Sequence, residues 1–145
     1  MLAAACDLRI MSRDGADFAL NEINMGLMLP PGFIRILVGA VGPGPAREMI
    51  LLGSPVRSDR ALEIGLVSEV VDSATLQRRA IEVCSTLAKK PEAVFAANKR
   101  SLREILGRTA SDSDRIYLQG LIDRWFAPEV EALRKSLRDS VGNKA

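Results

Sequence analysis

The chain has 145 residues, 48% of them hydrophobic and 26% charged, with a formal net charge of +2 and 4% aromatics, which fits about one globular domain with a sizeable core. The apolar runs are too short for a membrane span, the start lacks a basic, apolar leader, and no basic patch marks a nucleic-acid surface. The expectation is a cytoplasmic protein that binds neither membrane nor nucleic acid.

With no histidine in the chain, neither a Ser/His/Asp triad nor a histidine base is available, and proton chemistry falls to Asp, Glu, Lys, Cys or Tyr. Cys6 and Cys84 stand among Ala, Leu and Val, a poor metal or disulfide pair. Both are expected to be buried and inert, and no metal is expected.

Leu8 and Ile10 alternate within residues 7–12, and Asp14-Gly15 makes a turn toward Phe18-Ala19-Leu20. This predicts two short strands. Asn21 to Gly26 lead into an apolar stretch closed by Pro30-Pro31-Gly32. The prolines exclude a regular helix there and leave a loop or a short helical turn. Residues 33–41 and 45–52 form two helices divided by Gly42-Pro43-Gly44, with Pro45 suited to a first helical position. A short helix over residues 58–63 ends at Gly65, and Leu66 to Val71 are rich in strand formers.

Composition changes at Asp72-Ser73, after which apolar residues recur at helical spacing. Leu76, Ala80, Val83, Cys84 and Leu87 define one helix, and Val94, Ala97, Leu102 and Ile105 a second beyond Pro91. Leu118, Leu121, Ile122 and Trp125 mark a third, and Val130, Leu133, Leu137 and Val141 a fourth after Pro128. The reading is a mixed unit over 1–72 and a helical subdomain over 73–145, with Gly142 to Ala145 frayed. Trp125-Phe126 and the last stripe suit a core or a subunit contact.

Leu2-Ala3-Ala4-Ala5-Cys6-Asp7-Leu8-Arg9-Ile10, Phe18-Ala19-Leu20-Asn21-Glu22, Met25-Gly26-Leu27 and Ala61-Leu62-Glu63-Ile64-Gly65-Leu66-Val67 follow one another in this order. In order and spacing the chain resembles the crotonase, or enoyl-CoA hydratase/isomerase, family over roughly Leu2 to Lys99. The resemblance implies an α/β fold: the C-terminal part of a spiral of ββα units, followed by helices that build trimers or dimers of trimers. It implies an acyl-CoA thioester substrate and no cofactor beyond the CoA that the substrate carries. It also places a front half before Leu2, with the oxyanion-hole amides and much of the CoA surface, so this chain alone is expected to be a poor catalyst and to expose an unpaired sheet edge.

Proton transfer beside a thioester suits a carboxylate in apolar surroundings. On the residues alone, Glu22 is an acidic residue of a first helical turn that favours its dipole. The resemblance makes it the acid/base, with Ile23, Met25, Gly26, Leu27, Pro30, Pro31 and Phe33 around the acyl chain. Family hydratases carry a second Glu, and counting back from Cys6 places that position at Met1. With Leu29-Pro30-Pro31 following the turn, the chain looks more like the Δ3,Δ2-enoyl-CoA isomerase branch, with hydratase as the alternative and a catalytically silent interaction subunit as a third reading. Lys99, Arg134, Lys135 and Arg138 are candidates for CoA phosphates, although such cations on helices are commonly solvated. Asp7 reads as a turn cap.

Overall fold

Glycine and proline cut the first half of the chain into short pieces, and long helices follow. The computed structural model describes residues 1–106 and 112–142, without the side chains of residues 113 and 140–142. Helix α1 (Leu2–Ala5) precedes strands β1 (Ile10–Ser12) and β2 (Asp17–Phe18), and a 3₁₀ turn spans Glu22–Met25. Helices α2 (Pro31–Val41) and α3 (Pro43–Leu52), strand β3 (Val56–Arg57), helix α4 (Ser58–Glu63) and strand β4 (Glu69–Val71) complete the mixed part. Helices α5 (Ser73–Ala88), α6 (Glu92–Ile105), α7 (Asp112–Trp125) and α8 (Pro128–Gly142) follow.

The strands are shorter than the apolar alternation suggests. β1 pairs parallel with β4 through Ile10↔Glu69, Met11↔Val70 and Ser12↔Val71. β2 pairs antiparallel with β3 through Asp17↔Arg57 and Phe18↔Val56, and Leu20, expected within a strand, lies beyond the pairing as a buried core residue. Helix α3 begins at Pro43 rather than Pro45, because Gly42, with φ of 78°, breaks the chain and Pro43 supplies the preset φ of a first helical residue.

The core lies where α2, α3 and α4 close over the strands. Leu37, Ala61 and Leu66 are fully buried there beside Leu20, Met11 and Met49. Each large aliphatic side chain so buried contributes about 1.5–3 kcal/mol of transfer free energy. The two-stranded sheet is tied to α5 by Arg79, whose Nε donates to Glu69 at 2.8 and 2.9 Å.

The long helices bury less than their periodicity suggests. Leu76, Ala80, Val83 and Leu87 of α5 are half-buried, whereas Val94, Leu102 and Ile105 of α6 stay exposed. Cys6 and Cys84 are both exposed, against the expectation from their apolar neighbours. Cys84 sits beside the half-buried stripe of α5 rather than on it, and Cys6 follows the end of α1. Phe126 is exposed, and Trp125 is held against α8 instead of in the main core. Gly142, expected to fray with the residues after it, is instead the last residue of α8, and residues 143–145 and the side chain of Val141 lie outside the described part. Among the described residues no helix is long and apolar enough to cross a membrane.

Candidate active site

The turn that carries Glu22 is braced from two sides. Its C-terminal residue, Gly26, adopts φ of 68°, and Leu27 N–H donates back to Glu22 O at 2.9 Å. A side chain at Gly26 would press on α8, since a methyl group there would lie 3.2 Å from Leu133 Cδ1 and 3.6 Å from Val130 Cγ2. Arg124 Nε donates to the Gly26 carbonyl from α7. On the opposite side, Gly53 ends α3 at φ of 60°, and its carbonyl accepts Asn24 Nδ2 at 3.2 Å. A methyl group on Gly53 would come within 2.7 Å of Asn24 Nδ2 and 2.8 Å of Ile23 Cγ2. Only glycine lets α3 approach the turn so closely.

Within this brace the Oε2 atom of Glu22 is buried, and no described residue gives it a hydrogen bond. An occluded carboxylate oxygen without a donor has lost its water and gained nothing in exchange. Such an atom costs stability and calls for another explanation.

A second orphaned atom lies on the helix packed against this turn. Arg134 Nε, in α8, is buried without a partner among the described residues. Its guanidinium lies 4.3 Å from the Trp125 ring centroid and Nη2 donates to Trp125 O at 2.9 Å. Arg134 and Arg138 border an open depression of about 490 Å³ together with Asn21, Met25, Trp125 and Leu137.

The other expected site residues fall in distinct places. Met25 lines the depression, Gly26 lies under α8, and Ile23 is exposed. Leu27 and Pro30 are buried, and Pro31 and Phe33 are half-buried in the first turn of α2. Lys135 is exposed, whereas Lys99 forms an ion pair with Asp7, which joins α6 to the segment before β1. Arg134 and Arg138 are thus gathered near the Glu22 turn, and Lys99 is occupied elsewhere. Sequence reasoning missed Asp114, a buried carboxylate that holds Gly32 and Arg35. Its neighbours Asp112 and Ser113 make it read as an ordinary helix start, with no signal linking it to α2. Among the described residues no cluster of three or more Cys, Asp or Glu could hold a metal ion.

The fold recurs in solved enzymes. Human mitochondrial Δ3-Δ2-enoyl-CoA isomerase superposes with a TM-score of 0.82 at 21% identity, over 98% of this chain and 56% of that one. At that identity the likeness speaks for the fold alone. 2,3-Dehydroadipyl-CoA hydratase of Escherichia coli (strain K12) is 32% identical over 103 residues, which is 71% of this chain and 40% of that protein. Hydroxycinnamoyl-CoA hydratase-lyase of Pseudomonas fluorescens is 33% identical over 122 residues, or 83% of this chain and 43% of that protein. The chain therefore spans less than half the length of either relative. The family description that matches residues 1–122 is enoyl-CoA hydratase/isomerase, and with the order of motifs and the fold in agreement, the chain belongs to that family.

Proposed function

We propose that this chain is the C-terminal part of an acyl-CoA-processing enzyme that moves the double bond of an enoyl-CoA thioester, with Glu22 as its acid and base. The observation that carries the reading is the buried, unpaired Oε2 of Glu22 in a turn braced by Gly53 and by α8. In the forward direction the Glu22 carboxylate takes a proton from C2 of a 3-enoyl thioester. The electron pair left on C2 moves toward the thioester carbonyl, giving an enolate conjugated with the C3–C4 bond. The same carboxyl group then returns the proton to C4, leaving the double bond between C2 and C3.

The enolate oxygen needs backbone donors, each contributing on the order of 3 kcal/mol. In the family these lie ahead of the segment that corresponds to Leu2. Turnover accordingly requires that front segment, whether in the same chain or supplied beside it, and the long helices serve assembly into a homotrimer or a dimer of trimers. CoA enters only as part of the substrate.

Hydration is the second reading, favoured by the names of the Escherichia coli and Pseudomonas fluorescens relatives, both hydratases. Water addition gains from a second acidic group to orient the nucleophile, and isomerisation does not need one. On the intact protein, the rate of 3-enoyl to 2-enoyl conversion should exceed the rate of water addition to the 2-enoyl product. A hydration rate equal to or above the isomerisation rate would return the assignment to the hydratases.

A further inference from the structure

Arg134 is a half-buried cation with no ion-pair partner among the described residues. Its guanidinium stacks on Trp125 and donates to the Trp125 carbonyl, and neither it nor Arg138 takes part in an ion pair among the described residues. Arg138 follows one helical turn later on the same side of α8, so two like charges face the same depression. A cation removed from water without a counter-charge is costly, and a planar guanidinium held in place by stacking has little freedom left to lose on binding an anion. The rest of the lining, Met25, Leu137 and the Trp125 ring, is suited to methylene groups, with Asn21 as a further polar contact.

We propose that this depression receives an anionic group at the far end of the acyl chain, so that the protein selects acyl-CoA thioesters carrying a terminal carboxylate. The inference rests on the reading of Glu22 as the proton-transfer group, because that reading locates the thioester. Asn21 and Met25 belong to the same turn as Glu22 and line the depression. An anion held there lies near the reacting carbons. The phosphates of CoA are kept away from those carbons by the whole pantetheine arm, whereas a terminal carboxylate lies only a few methylene groups away. Arg134 and Arg138 thus pass from phosphate candidates to acyl-end recognition.

The test is calorimetric titration of the intact protein with hexanoyl-CoA, adipoyl-CoA and free CoA. The two thioesters have equal chain length, differ in the terminal carboxylate, and are saturated, so binding does not depend on turnover. Adipoyl-CoA should bind at least about tenfold tighter than hexanoyl-CoA, as one charge-assisted, bidentate contact allows. In Arg134→Gln that ratio should fall toward one, and Arg138→Gln, at an exposed position, should lower it in the same direction if the first variant does not fold. Equal affinities in the unmodified protein would overturn the proposal. So would variants that weaken all three ligands equally, free CoA included, since the anion would then be a CoA phosphate. A preserved adipoyl preference without isomerisation or hydration would sink the Glu22 reading and leave the anion site standing.

Discussion

The carboxylate of Asp114 in α7 accepts the backbone N–H of Gly32 at 2.5 Å through one oxygen and pairs with Arg35 at 2.5 Å through the other. A residue from the helical half thus closes the first turn of α2, next to the Pro30-Pro31 step that follows the Glu22 turn. Asp114 is 7% exposed, so its removal takes a charge-assisted acceptor from a sheltered site. Asp114→Ala should lower stability by about 2 kcal/mol in urea denaturation. A change below about 0.5 kcal/mol, the size of an ordinary surface substitution, would show that the contact stabilises nothing.

Gly53→Ala probes the other side of the brace. The added methyl group meets Asn24 and Ile23 at under-van-der-Waals distances and is forced to a positive φ, which costs about 1–3 kcal/mol of backbone strain. The turn must shift to relieve it, and on the proposed role of Glu22 this moves the carboxylate out of line with the substrate. kcat should therefore fall about tenfold or more with a smaller change in KM. Unaltered kinetics in a folded variant would detach the turn from α3.

Glu82 supplies a pH test of the surface. Arg79 above all, then Arg78, holds its carboxyl below the ordinary value of 4.5 by hydrogen bonding. A carboxyl depressed in the folded state stabilises it above the ordinary value, and that contribution is lost as pH falls through the folded value. The stability difference between the protein and Glu82→Gln should be largest near neutral pH, shrink below about pH 4, and shrink in salt, because the pair is exposed. A difference that grew on acidification would reverse the sign of this account.

The helices were legible because proline and glycine mark their ends, yet α2 and α3 begin at Pro31 and Pro43, two residues ahead of the starts the pattern gives at 33 and 45, since Pro31 and Pro43 serve as first helical residues instead of excluding a helix. The strands were less so, since Phe18, Ala19 and Leu20 are all compatible with a strand, yet the pairing partner β3 offers only Val56 and Arg57. Burial along α5 and α6 was misjudged for a physical reason. Apolar periodicity identifies a face that wants cover, but the described chain covers only part of it, leaving Cys84 and Leu102 exposed. In the site, the order of motifs singled out Glu22, while the bracing was hidden. Asn24 meets Gly53, and Asp114 meets Gly32 across 82 positions of sequence, and short-range patterns carry no record of such pairings. The stacking of Arg134 on Trp125 was equally out of reach, because charge on a helix most often reads as a solvated face.

The role of Glu22 is open to one direct measurement: 3-enoyl-CoA isomerisation by the intact protein and by its Glu22→Gln variant, with binding of a non-reactive CoA thioester as the folding control. Glutamine keeps the size and polarity of the side chain and removes its ability to accept and return a proton. The rate should fall by about a hundredfold or more while thioester affinity stays within about twofold. An isomerisation rate left unchanged in a variant that binds normally would move the proton-transfer role off Glu22.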